Sequence, residues 1–404
     1  MAWRRTLQSV SLGLVMAARA AAPALAQDVR PTYAADRRVG VAFEAGAVVS
    51  PRDDIAFFNY TDYEHNALRG VRLRLMAEWR AATALSFVGE VRSEVGINVD
   101  VPALYLRWRP WTDRGIAIQA GRVPPLIGAF PRRAYGHANV VIGWPLAYQY
   151  LVSVRPDALP GTVDDLLRMR ARGWQPSFPI GSQELRPGVS LISASRWDTG
   201  VQIIAKARGI TLAGAVTEGP PSVPSVRDRT PGVGFSGRAS FTLPAGVIIG
   251  ASGGTGNWID RQALEQASLE GADAPHRVVG IDAEAGRGHW LLRTEWFYSS
   301  FTLPIATAAP LSLGTRVGYV EGRYRLSARW QFGARAERLR FDRVEGLTSR
   351  VATPWDADVD RVEAAVAYRV TTTAEIKVAW QHNWRDGGRV RERGFPAIQL
   401  LYWY

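Results

Sequence analysis

From about residue 40 to its end, the chain repeats one pattern: roughly ten residues in which apolar and polar positions alternate, followed by a break. In 71–79, Val71, Leu73, Leu75, Ala77 and Trp79 share one side, and Arg72, Arg74, Met76 and Glu78 share the other. In 83–95, Leu85, Phe87 and Val91 oppose Ser86, Glu90, Arg92 and Glu94. The pattern returns late in the chain, where Trp290, Leu292, Trp296 and Tyr298 oppose Arg293 and Glu295, and Val362, Ala364, Val366 and Tyr368 oppose Arg361, Glu363 and Arg369. Period two marks a β-strand with two different faces. A soluble sandwich built from so many such strands would need a very large shared core. A barrel with lipid outside and water inside needs none, so the fold class expected is an all-β, transmembrane antiparallel β-barrel.

The pattern places strands near 40–50, 68–80, 83–95, 101–109, 115–123, 197–206, 209–218, 232–243, 246–254, 276–286, 289–301, 313–326, 328–341, 358–370, 373–384 and 395–404. That is about sixteen strands, within a range of 14–18. Tight links join each even-numbered strand to the next odd one, which puts both ends of the barrel on the side of the short turns. The segment 186–195, with Val189, Leu191 and Ile192, reads as a further strand, an extension of the sixth, or packing within the loop before it.

Aromatic residues test that orientation, since Trp and Tyr collect on the outward face at both edges of an apolar band. Trp79, Trp108, Trp290, Trp330, Tyr368, Tyr402 and Tyr404 should mark the periplasmic edge, and Trp197, Trp296, Tyr298 and Trp384 the opposite one. At the C-terminus, Ile398, Leu400, Tyr402 and a closing Tyr404 alternate up to the last residue. This ending resembles the insertion signal of bacterial outer-membrane β-barrels, and implies outer-membrane lipid and a barrel-assembly machinery as partners.

The N-terminus agrees. Arg4 and Arg5, an apolar run from Val10 to Met16, and Ala24-Leu25-Ala26 read as a secretory signal peptide over 1–26. A short periplasmic segment, 27–39, should follow, and then the barrel from 40 to 404 with one long loop over 124–196. No run approaches the roughly twenty apolar residues of a membrane-spanning helix. With no cysteine, an exported chain has no disulfides, thiol catalysis or thiolate metal site. The formal charge of +12 falls to about +9 once Arg4, Arg5 and Arg19 leave, and beyond the signal only Lys206 and Lys377 are lysines. Nucleic acid is not an expected partner of an exported chain. An Arg-rich, anion-favouring lumen is the functional reading, against the plain alternative of an Arg-rich composition.

The interruption at 124–196 is too long for a structureless connection. It carries Pro131-Arg132-Arg133, the aromatics Trp144, Tyr148 and Tyr150, and a short helix expected over Thr162 to Arg172. Folded into the lumen, it would offer Arg132, Arg133 and Arg155 as an electropositive constriction facing Arg72, Arg74, Arg107 and Arg109; packed outside, it would be a lid. Strand periodicity adds Arg329, Arg335, Arg361 and Arg369 to the pore-lining candidates.

At the entrance to this loop, Ile118-Gln119-Ala120-Gly121-Arg122-Val123-Pro124-Pro125-Leu126-Ile127-Gly128 resembles the strand-to-loop passage of outer-membrane porins of the phosphate-selective type. The resemblance implies a porin: a passive channel for small hydrophilic solutes, without cofactor and without enzymatic activity, and a homotrimer by default. It does not carry phosphate selectivity, because the lysine cluster of those porins has no counterpart among two lysines. The alternative is a non-conducting barrel serving as a lipid or peptide hydrolase or as a surface scaffold. Its best support is His137 with Asn139 and the loop serines. His65, His137, His276, His289 and His382 show no metal-ligand spacing, and no GxSxG or GxxxxGK[ST] motif occurs.

Overall fold

The computed structural model describes residues 38–50, 70–94, 98–111, 114–194, 197–224, 229–305, 308–388 and 391–404. The expected signal peptide, its cleavage point and most of the 27–39 segment lie outside the described residues, as does His65.

Sixteen antiparallel strands close into one barrel. They are β1 Val39–Val49, β2 Gly70–Ala82, β3 Leu85–Glu94, β4 Asn98–Trp108, β5 Gly115–Val123, β6 Asp198–Ala207, β7 Ile210–Thr217 and β8 Gly234–Thr242. The second half comprises β9 Val247–Asn257, β10 Pro275–Arg287, β11 Trp290–Ile305, β12 Ala308–Arg325, β13 Trp330–Phe341, β14 Val359–Arg369, β15 Ala374–Arg385 and β16 Glu392–Trp403. Every strand pairs with its sequence neighbours, and β1 meets β16 at the seam, with Glu44 opposite Trp403 and Val49 opposite Ile398. Closure leaves no edge strand, and so no row of backbone groups without partners in hydrocarbon. Residues 186–194 form no barrel strand; Val189, Leu191 and Ile192 are buried inside the long loop's own core.

The alternation read from the sequence is an alternation of faces. On β2, Leu73 is 40% exposed and Arg74 only 5%; on β13, Trp330 and Phe332 face out while Arg335 is buried. The outward aromatics cluster at the short-turn edge, where Trp79 stacks on Phe87 with centroids 5.3 Å apart, Trp290 meets Tyr324 at 4.7 Å, and Trp330 meets Tyr368 at 4.7 Å. Trp296, Tyr298 and Trp384 are exposed on the outer face nearer the other edge. Trp197 departs from the expectation. Its ring turns inward against Tyr105, at 6.3 Å, because Tyr105, Val88, Ala103 and Val123 form an apolar patch inside the wall there.

Near the long-loop end the pattern inverts. On β11, β12 and β13 the inward residues become apolar (Phe301, Leu303, Leu313, Leu339, Phe341), and the outward ones become Ser300, Ser312, Arg316, Arg338 and Arg340. Lipid no longer covers the outside at that height, and an apolar body fills the inside. This explains why β11 and β12 run further, to Ile305 and from Ala308, than their lipid-facing repeats at 289–301 and 313–326 indicate.

A labelling experiment reads the faces directly. Lys206, exposed at the short-turn end of β6 on the inward face, should react rapidly as Lys206→Cys with a water-soluble thiol reagent, and Leu73→Cys in the lipid belt should not. The opposite ranking would overturn the assignment. Arg74 is a poor inward reporter, because the Tyr135 ring covers it at 4.6 Å.

Candidate functional site

The polypeptide enters the barrel where β5 ends. Gly121, at φ 121°, lies against the Leu104 carbonyl, and Pro124 and Pro125 can offer no N–H to extend the ladder. Gly128, at φ 75°, presses on the Tyr148 hydroxyl and the Glu295 carboxylate, where a side chain would collide. This glycine-proline-glycine passage turns the chain inward instead of over the rim.

Residues 124–150 then cross the lumen as short turns, 3-10 segments Phe130–Arg133 and Gly136–Ala138 and the helix α1 Leu146–Gln149. Such turns leave backbone groups without internal partners, and the barrel wall supplies them. Glu44 accepts from the amides of Gly136 (3.0 Å) and His137 (3.1 Å), and Glu363 accepts from Ile142 and Gly143, both at 2.9 Å. Glu337 accepts from Leu146 at 2.6 Å, Glu295 from Ala129 at 3.1 Å, and Ser252 from Gly128 at 2.9 Å. From the other sign of charge, Lys377 donates to the carbonyls of Gly136 and Asn139, each at 2.6 Å, and Arg361 to that of Trp144 at 3.1 Å. The wall therefore grips the loop chiefly by its backbone, through charge-assisted hydrogen bonds.

The same carboxylates hold arginines. Arg335, fully buried, reaches Glu337 (2.9 Å), Glu363 (3.1 Å) and Glu321 (3.4 Å) and donates to the Gly143 carbonyl at 2.6 Å. Arg133, on the loop, joins Glu295 at 3.1 Å, Glu284 at 3.5 Å and the Tyr319 hydroxyl. Arg238 crosses to Asp282 through paired contacts of 2.6 and 2.7 Å, over Gly250, where any side chain would strike both groups. Removing one member of such a buried network leaves an uncompensated charge behind, which is costly.

The sequence-predicted arginines divide by position. Arg72 lies over the Trp144 ring at 5.3 Å, Arg74 is 3.9 Å from Glu90, and Arg107 is 3.3 Å from Glu78. Arg109 is half-buried just past β4 on the short-turn side, and Arg132 is half-buried on the first 3-10 turn. Arg361 bonds Asn383 at 2.8 Å, and Arg369 lies over Trp403 at 5.9 Å. Two are elsewhere. Arg155 is not in the lumen: it is held beyond it by Asp157 at 2.9 Å and by the Pro176 and Glu184 carbonyls, because the chain has already left the barrel at that point. Arg329 precedes β13 in a short turn and points out to the Tyr368 hydroxyl at 3.4 Å, so it is a rim residue. The acidic partners Glu44, Glu295, Glu337 and Glu363, and Lys377, were not among the candidates, although each occupies the polar phase of a strand.

Residues 151–194 cap the long-loop end of the barrel. They carry a small hairpin, Ala158–Leu159 with Ile180–Gly181, and the helix α2 Val163–Arg168, which a capping box between Thr162 and Asp165 starts. Tyr150, Leu159, Leu166 and Leu191 pack there with Trp258 and Trp355 from other loops, and Asp356 accepts from the amides of Ser153 (2.7 Å) and Ala171 (2.8 Å). The expected alternatives of inserted loop and lid thus describe two halves of one segment.

Where the cap meets α3 Arg261–Gln266, the Asp260 amide donates to the Pro156 carbonyl at 2.8 Å. Burial, reinforced by the nearby Asp157 charge, pushes the Asp260 carboxyl up to about 6. A carboxyl raised on docking favours the docked state when protonated. That contribution is complete below the ordinary Asp range and is lost as pH rises through about 6. Amide exchange in 156–194 should therefore quicken between pH 5 and pH 7 by more than the intrinsic rate change, and Asp260→Asn should remove the excess. An unchanged excess in that variant would assign it elsewhere.

His137 bonds Glu44 through Nδ1 at 2.5 Å and stacks on Trp403 at 5.2 Å, while Asn139 donates to the carbonyls of Arg133 (2.7 Å) and Tyr135 (3.0 Å). These side chains hold the loop in place. Among the described residues, no three His, Asp or Glu side chains gather as a metal site would require.

A closed sixteen-stranded barrel with an outer apolar belt, a polar interior and one loop folded inward has the fold of the bacterial outer-membrane porins. No family model matches the chain, and no curated protein does. Solved structures carry the likeness. The anion-selective porin from Comamonas acidovorans superposes with a TM-score of 0.56 at 8% identity, over 91% of this chain and 100% of that one. The outer-membrane channel DcaP of Acinetobacter baumannii gives 0.55 at 10% identity, over 93% and 100%, and the trimer form of OmpT from Vibrio cholerae 0.53 at 9%, over 91% and 99%.

Proposed function

We propose that this chain is a passive channel of the Gram-negative outer membrane, passing small hydrophilic solutes with a bias toward anions. One observation carries the bias: inward carboxylates lie among loop amides and paired cations, while several cations at the mouth have no acid of their own among the described residues. Glu44, Glu295, Glu337 and Glu363 are spent on loop amides and buried arginines, Asp282 on Arg238, and Glu375 lies 3.8 Å from Lys377. Cations at the short-turn mouth are less confined. Lys206 is exposed, and Arg323 and Arg325 make no side-chain ion pair among the described residues. We place the path beside β7 and β8, because the inward residues Thr211, Ala213, Ser236 and Ser240 there are short and only half covered. A narrow passage lined on one side by such groups strengthens the effect of each mouth charge.

As in the trimer form of the Vibrio protein, assembly into a homotrimer is the expected state, with insertion by the barrel-assembly machinery. Reconstitution into planar bilayers tests the reading. Stepwise conductance supports a channel, whereas a bilayer that stays sealed while added lipid or peptide is hydrolysed would favour an enzymatic barrel.

A further inference from the structure

The outer surface of β8 to β13 carries a hollow within the lipid belt. Outward positions Gly237, Ala239, Ala251 and Gly253 are nearly without side chains, and Val279, Ile281, Trp296 and Tyr298 stand beside them. The result is a shallow groove of about 1220 Å³, widely open on its lipid side and mostly apolar. It ends among guanidinium groups: Arg316, Arg338 and Arg340 form part of its lining.

These arginines sit where the faces of β12 and β13 invert, so their height is that of the outer-leaflet headgroups. Below Arg338, β13 presents Ala336, Ala334 and Phe332 to lipid; above it, Arg340 faces the same way. Arg316 lies over the Tyr298 ring at 5.7 Å, which points it along the groove's upper edge. Each arginine has an aspartate nearby: Arg316–Asp342 at 2.8 Å, Arg338–Asp360 at 3.0 Å and Arg340–Asp360 at 2.6 Å. The arginine side chains of the first two pairs are 67% and 66% exposed, so their attraction is weak and exchange for a phosphate costs little. Arg277, outward and exposed on the adjoining hollow, makes no ion pair among the described residues and leaves the rim net cationic.

We propose that this groove is a binding site for a phosphate-bearing lipid of the outer leaflet, its acyl chains in the hollow and its phosphates on Arg316, Arg338 and Arg340. Apolar volume and cationic rim meet at the depth where such a lipid changes from chain to headgroup, and juxtamembrane arginines attract anionic headgroups. A second copy of the chain could also cover an apolar hollow, but it would have to bury this charged rim.

The test is native mass spectrometry of the folded protein in uncharged detergent, incubated with equal amounts of bisphosphoryl lipid A and an uncharged diacyl galactolipid. Wild type should retain lipid A in preference. Arg338→Gln with Arg340→Gln should lower that retention by roughly tenfold, and Ala251→Phe, which fills the hollow without touching the rim, should lower retention of both lipids. Heat-modifiable migration establishes that each variant is folded; if the double variant is not, Ala251→Phe together with the wild-type preference decides. Equal retention of the two lipids by wild type, or full retention by folded variants, overturns the proposal. So does a stable dimer whose formation shields Ala251→Cys from a thiol reagent, because the hollow would then belong to a protein contact.

Discussion

Replacing Glu363 with alanine is expected to release the lumenal segment from the wall and leave the barrel standing. Glu363 accepts from two loop amides with one oxygen, and with the other it meets Arg335 at 3.1 Å and Gln381 at 3.2 Å. Its removal strands two buried N–H donors and takes one carboxylate from a fully buried guanidinium, a loss of about 3–5 kcal/mol for a broken buried pair. The strand ladder does not depend on that side chain, so the cost falls on loop docking. Amide exchange at Ile142 and Gly143 should accelerate by orders of magnitude, and the open channel should become larger and noisier. Glu363→Gln, which keeps an acceptor and the volume, should lie between. Unchanged exchange and unchanged current noise in the alanine variant would show that the loop is held by other means.

Deleting Tyr404 is expected to impair barrel closure and leave export intact. The last rungs of the seam are reciprocal bonds between Phe43 and Tyr404, amide to carbonyl in both directions at 2.9 Å. Tyr402 lies on the outward face beside Phe43, with ring centroids 6.4 Å apart. Each rung contributes about 1 kcal/mol in water and more where no water can replace it. The folded, heat-modifiable form in outer-membrane fractions should therefore fall sharply, and a charged replacement at 404 should act in the same direction. Normal amounts of folded barrel after the deletion would mean that the seam closes from other contacts.

The barrel was legible in the sequence because lipid and water impose opposite demands on adjacent residues. Most strands between Val39 and Trp403 record that contrast along most of their length, and tight turns join them in pairs. β11 and β12 outrun their lipid-facing repeats because the contrast reverses there: Leu303 and Leu313 point inward to the cap, not outward to lipid. Trp197 departs from the outward aromatic pattern for a related reason, since the inner wall is apolar around Tyr105.

The interior was less legible. A loop gripped through backbone amides needs no particular side chains at Ile142, Gly143 or Leu146, so nothing in 140–150 announces its partners. Arginines are the expected pore-lining residues, yet Arg133, Arg335 and Arg361 are structural ties whose charge the glutamates beside them offset. Arg155 shows the limit of spacing as a guide. Its partner Asp157 is two residues away, but only the fold shows that both lie in the cap beyond the barrel.

The proposed anion bias rests on surplus cations: inward arginines and carboxylates largely cancel in pairs, and Lys206, Arg323 and Arg325 are left over at the short-turn mouth. The zero-current potential of the wild-type protein in a planar bilayer, measured across a potassium chloride gradient at neutral pH, tests this most directly. A potential on the chloride side is expected, moving toward the potassium side when Lys206, Arg323 and Arg325 are together replaced by glutamine. A wild-type channel already selective for potassium, or one whose potential ignores those three substitutions, would contradict it.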